Sequence, residues 1–213
     1  MKKLLLLSMV MLASAAAFAQ SSEFKPFRVG LGLGYASPQG DGAKGGVLFY
    51  LEPSYRISDA IALGLRLETA IMLRGTTYVT SGNTSTASGS VSASGSYTVN
   101  GQYYFSNKGF RPFVGAGLGL YSLASASFTA TSSGNNTSSN SSDAVSGGTK
   151  FGFYPRIGFD ASHFTMNIEY NIIGKSTNTF TYDSNGVLSA GKSETKNNYL
   201  GIKVGFFIGG GKR

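Results

Sequence analysis

The chain has 213 residues, 41% hydrophobic and only 13% charged, with 30 Gly and neither Cys nor Trp. A charged fraction about half that of an ordinary soluble domain leaves too few polar side chains to cover a water-facing surface. The lack of Cys excludes disulfides, thiolate metal sites and a lipid-modified cysteine anchor.

Export is written into the first segment. Lys2 and Lys3 precede a mostly apolar run from Leu4, and Ala17-Phe18-Ala19 supplies an A-x-A cleavage site. This predicts a cleaved signal peptide over 1–19 and one domain over 20–213. The run is broken by Ser8 and Ser14 and falls short of a membrane-spanning helix. The formal charge of +8 would by itself suit nucleic acid, but an exported chain does not meet that partner.

From Phe27 onward apolar residues recur at period two, the signature of strands with one apolar face. In chain order the pattern predicts strands near 27–35, 47–57, 61–73, 96–105, 112–121, 150–160, 164–172 and 199–208. The clearest is Ile61, Leu63, Leu65, Leu67, Ile71 and Leu73, opposed by Ala62, Gly64, Arg66, Glu68, Ala70 and Met72. No sustained helical period interrupts them. Three connections are short, near 58–60, 106–111 and 161–163, and four are long, near 36–45, 75–95, 122–149 and 173–197. Tight turns at one end and long loops at the other suit an outer-membrane barrel with both termini in the periplasm.

A soluble eight-stranded lipid-binding barrel in the periplasm is the structural rival. It would put the apolar faces inside and leave Gly, Ala, Ser, Tyr and a few charges as the water-facing surface, a poor one for solubility. Turned inward, those same residues fill a lumen that eight strands make only just wide enough for side chains. The fold expected is therefore all-β: an eight-stranded antiparallel up-and-down transmembrane barrel.

Phe27-Arg28-Val29-Gly30-Leu31-Gly32-Leu33-Gly34-Tyr35, its echo Val114 to Tyr121, and the closing run Tyr199 to Ile208 resemble the small OmpA/OmpX-like outer-membrane β-barrel domains of Gram-negative bacteria. The resemblance is architectural and covers essentially the whole exported chain. It implies a barrel in the outer membrane. Two features depart from it: Phe206-Phe207-Ile208 is followed by Gly209-Gly210-Gly211-Lys212-Arg213, and Trp is missing from the interfacial girdles, leaving Tyr and Phe to form them.

Face parity assigns Glu52, Glu68, Glu169, Arg66, Arg156 and Lys203 to the lumen, three acids against three bases. Folding about Asp59 puts Glu52 opposite Arg66 and Tyr50 opposite Glu68, and the same logic sets Arg156 opposite Asn167. These charges read as a paired structural plug, with a narrow pore as the alternative. Arg28 and Arg56 are expected at the solvated periplasmic mouth. Pro53 and Pro155 predict a bulge or local break, because a barrel strand has no free edge for a missing N–H.

Catalysis is not expected. The one histidine, His163, falls in a turn beside Asp160 and is expected to bond to it or to water, so a lipid A-modifying enzyme lacks its general base. No cofactor or dedicated metal site is expected from one His, no Cys and scattered acids. Asp41-Gly42 reads as a turn. Residues 80–96 and 122–149, rich in Ser, Thr, Gly and Asn, are expected to be mobile surface loops. They would shield the rim or bind an extracellular protein. Arg74, Lys150 and Lys175 fall at outer strand ends, where lipopolysaccharide phosphates are in reach. The expectation is a monomeric structural and surface-display protein, with outer-membrane lipid and lipopolysaccharide as partners.

Overall fold

The computed structural model describes residues 23–39, 43–81, 84–133, 136–141, 145–184 and 187–212. The predicted leader, Asp41-Gly42 and Arg213 lie outside them. The described strands are β1 (Phe27–Pro38), β2 (Ala43–Arg56), β3 (Ile61–Ser81), β4 (Thr84–Tyr104), β5 (Phe110–Ser133), β6 (Asn136–Ser141), β7 (Val145–Ala161), β8 (Phe164–Ile173), β9 (Ser176–Ser184), β10 (Val187–Thr195) and β11 (Tyr199–Gly209). Eight of them form the barrel in the order β4-β3-β2-β1-β11-β8-β7-β5, closed by pairing of β4 with β5. All pairs are antiparallel, so every predicted strand is present and no barrel edge is left open.

Alternation sets the two faces. Leu31, Leu33, Phe49, Leu63, Leu65, Val99, Leu118 and Ile202 point outward, while their neighbours in the chain are less exposed and face the lumen. At the tight-turn end the outward residues become aromatic. Tyr103 meets Phe105, Phe110 meets Phe159, and Phe164 meets Phe206 at ring separations of 5.3, 5.0 and 5.8 Å. Tyr and Phe thus build the girdle that Trp often fills.

Glycine makes room for the rings inside. A Cβ on Gly32 would stand 2.7 Å from Tyr50 Cε1, and one on Gly152 would stand 2.8 Å from Tyr121 Cε2. Neither ring could keep its place beside a larger neighbour.

The tight turns are shorter than expected at one hairpin. Ala161 pairs with Phe164 across Ser162-His163, Ser162 taking a φ of 54°. This moves the register by two residues from the expected one: Arg156 faces Glu169, and Asn167 faces Gly158. The β2–β3 register is as expected, with Tyr50 opposite Glu68.

The prolines produce local breaks without bulges. The β2–β3 ladder stops at Leu51↔Leu67 and resumes at Ser54↔Gly64 in unchanged register, while Pro53 stays paired with Val29 of β1. Likewise β7–β8 runs to Phe153↔Ile172 and resumes at Arg156↔Glu169, with Pro155 still paired to Ala116. Each proline turns its missing N–H toward one neighbour and keeps the other.

The larger difference lies at the loop end. Residues 80–96 and 122–149, expected as mobile loops, continue the strands. β3 and β4 run 21 residues each and β5 runs 24, twice the 9–11 that span a bilayer. β4 stays paired with β5 up to Thr84↔Ser133, and β6 adds to β5 from Phe128↔Ser141 to Ser133↔Asn136. The result is a four-stranded fin whose strands run about 25 Å past the last barrel pairing at ~3.3 Å per residue. Composition does not separate the two cases: Ser and Thr suit solvated loops, but Thr and alternating small residues also suit paired strands. β9 and β10 form a separate hairpin.

Candidate functional site

All six expected lumen charges are buried, from 1% exposure at Arg66, Glu169 and Lys203 to 7% at Glu52. Their partners are not the neighbouring-strand ones expected. Glu52 accepts both Nη atoms of Arg156 at 2.7 and 2.9 Å, and Gln102 Nε2 donates to it at 2.9 Å. Arg66 pairs with Glu169, and its Nε lies 3.4 Å from Glu68. Lys203 bridges the two acids, donating to Glu68 and, at 2.6 Å, to Glu169. Tyr199 donates to Glu68 at 2.7 Å and Asn171 to Glu169 at 2.9 Å.

Nearer the tight-turn end lies a layer that parity indicated but the turn assignment hid. Arg28 and Asp160 are both buried and pair at 2.6 Å. Arg28 also donates to Ser54 at 3.0 Å and to Gln102 at 3.2 Å. So Arg28 is not solvated at the mouth, and Asp160 does not serve His163. The His163 Nδ1–H instead donates to the Phe207 carbonyl at 3.0 Å. Arg56 and Arg111 are buried beside this layer, at 5% and 3% exposure. Arg56 is therefore not solvated at the mouth as expected, and Arg111 occupies a lumen-face position, the signal that would have found it.

On the loop side the lumen is closed by an apolar cluster of Ala36, Leu48, Ala70, Met72, Tyr121, Ile173 and Tyr199. The interior is thus a stack: an apolar cap, a paired ionic middle and an arginine-rich base. Close packing around matched charges strengthens each ion pair and leaves little path for a hydrated ion.

The three rim bases do not form one patch. The Arg74 backbone pairs with Ala43 and Ser90, on a strand three places around the ring from β7. Lys150 is half-buried on β7, on the face that Gly152 and Tyr154 turn inward. Lys175 is exposed and donates to Glu194 at 2.7 Å, which holds the Glu194 carboxyl below its ordinary pKa. Among the described residues no group of three metal-ligating side chains converges.

Residues 5–207 match the family model described as the outer membrane protein beta-barrel domain. No curated protein matches the sequence. Solved structures resemble it at low identity. The Yersinia pestis attachment invasion locus protein Ail is 15% identical, with a TM-score of 0.41 over 86% of this chain and 100% of that one. OprG of Pseudomonas aeruginosa is 13% identical, with a TM-score of 0.45 over 87% and 97%. Neisserial surface protein A is 17% identical, with a TM-score of 0.39 over 87% and 98%.

Proposed function

The chain belongs to the outer membrane protein β-barrel domain family, and on that premise we propose a sealed, monomeric outer-membrane barrel that binds external proteins through its fin. Cleavage after Ala19 and periplasmic termini complete the reading, supported by the A-x-A site and by tight turns at the end where the termini meet. The ionic stack serves as a structural plug. No catalytic step is included, since His163 sits at the tight-turn end with its Nδ1 committed to a backbone carbonyl.

One observation carries the binding role. The fin segments 75–95 and 122–141 contain no Asp, Glu, Lys, Arg or Pro. Among the described residues β6 is the last strand of its sheet, and β3 beyond Arg74 has left β2 behind and keeps only β4. Sheets ordinarily protect such edges with charge or proline. Two unguarded edges held clear of the membrane favour strand addition by an extended segment of an external protein. Lipopolysaccharide contact by Arg74, Lys150 and Lys175 belongs to the same reading, best supported for exposed Lys175.

The test compares cells displaying the wild-type chain with cells displaying Ser138→Lys or Asn140→Pro on β6. Adhesion to epithelial monolayers should fall in both variants while heat-modifiable barrel levels stay the same. Equal adhesion would remove the fin from the function.

A further inference from the structure

The tight-turn mouth of the barrel holds more positive charge than its acids answer. Three guanidinium groups surround the Tyr104 ring, with Arg111, Arg28 and Arg56 at 4.2, 5.5 and 5.9 Å from its centre. Arg28 is matched by Asp160. Arg56 and Arg111 have no carboxylate partner among the described residues. Arg56 donates to the Gly210 carbonyl, and Arg111 to the carbonyls of Ser106 and Asp59. Arg56 Nε and Arg111 Nη1 are buried with no hydrogen-bond acceptor. Both guanidinium groups also stack on Phe24, at 4.7 and 4.1 Å.

These residues line a cavity of about 280 Å³, with Lys108, His163 and Lys212 also on its walls. Four bases stand on its walls: Arg56, Arg111, Lys108 and Lys212. Among the described residues Glu23 alone pairs with any of them, meeting Lys212 at 3.2 Å. The two buried guanidinium groups carry their charge without a carboxylate partner, which is costly in a largely desolvated mouth.

We propose that this mouth is an anion site for a phosphate group, held by Arg56 and Arg111 and approached past Lys108 and Lys212. Two guanidinium groups without a carboxylate supply charge for a phosphate, whether the dianion in solution or the single charge of a phosphodiester headgroup. The two guanidinium groups come from separate strands, β2 and β5, and so reach a tetrahedral oxyanion from different sides. A planar carboxylate is satisfied by a single fork. The phosphate comes either from solution or from a phospholipid headgroup at the adjoining rim.

The folded full-length chain in detergent is titrated with inorganic phosphate, against sodium chloride at equal ionic strength, and its thermal unfolding is followed. Phospholipid retained through purification is measured by mass spectrometry. A midpoint that rises with phosphate and saturates identifies free phosphate as the ligand. Retained lipid that inorganic phosphate displaces identifies the headgroup. Either response should vanish in Arg56→Gln/Arg111→Gln. Should that variant fail to fold, Lys108→Gln/Lys212→Gln leaves the buried pair intact and should weaken binding on the order of fivefold or more. A wild-type chain that neither responds to phosphate nor retains displaceable lipid overturns the proposal, as does unchanged affinity in the lysine variant. Neither result bears on the fin.

Discussion

Arg66 on β3 and Glu169 on β8 pair directly across the lumen, from strands four places apart in either direction around the eight-stranded ring. Glu52 on β2 and Arg156 on β7 do the same. These pairs are struts that tie opposite walls together, with Lys203 and Glu68 linking the upper one to a third wall.

Removing one end of a strut strands a buried charge. Glu52→Gln should therefore destabilise the barrel by about 3–5 kcal/mol, through the loss of Arg156's counter-charge. Denaturant unfolding in detergent measures it. Glu52→Gln combined with Arg156→Met should cost less than the two single changes summed, by more than ~1 kcal/mol. Additive costs would mean that the pair does not act as a unit.

The lumen also tests packing. Gly152→Leu forces a side chain into the Tyr121 ring, and Gly32→Leu forces one into Tyr50. Each should cost about 1–3 kcal/mol, visible as a lower temperature for the folded-to-unfolded gel shift. Gly95→Ala, where a Cβ meets nothing within 4 Å, should leave that temperature unchanged.

The strand pattern was legible because membrane and lumen impose opposite demands on alternate residues. Ile61 to Leu73 and Tyr199 to Ile208 needed no tertiary knowledge to assign. The strut partners were not legible. Hairpin counting pairs neighbouring strands, so it set Glu52 against Arg66; which residues meet across the lumen depends on closure and stagger, to which no local spacing refers. The β7–β8 turn carried a second error, since a two-residue turn with Ser162 at positive φ is a conformation usually signalled by Gly or Asn. The fin was hidden for a different reason: Ser-rich and Thr-rich alternation has no apolar face by which to be recognised.

Outside the membrane one contact responds to pH. Lys175 lowers the pKa of Glu194, so the pair supports the β9–β10 hairpin above the unfolded carboxylate range near ~4.3. That support is lost as pH falls through the depressed folded value. Protection of the Val187–Thr195 amides, taken relative to the intrinsic exchange rate at each pH, should fall on acidification below that range, and Glu194→Gln should remove the dependence. Protection that is equally pH-dependent in the variant would assign it elsewhere.

The fin should be separable from the barrel. Replacing 75–95 and 122–149 by short turns should leave the heat-dependent gel shift in place while abolishing adhesion. Loss of the gel shift would make the fin part of the folding unit.

The most direct test of a sealed barrel that acts from its outer surface is single-channel recording in planar bilayers. The purified wild-type chain should show no stepwise conductance at either polarity, because the Arg66–Glu169 and Glu52–Arg156 struts and the apolar cap above them fill the lumen. Regular steps that disappear when Glu52 and Arg66 are altered would contradict this and make the lumen a pore.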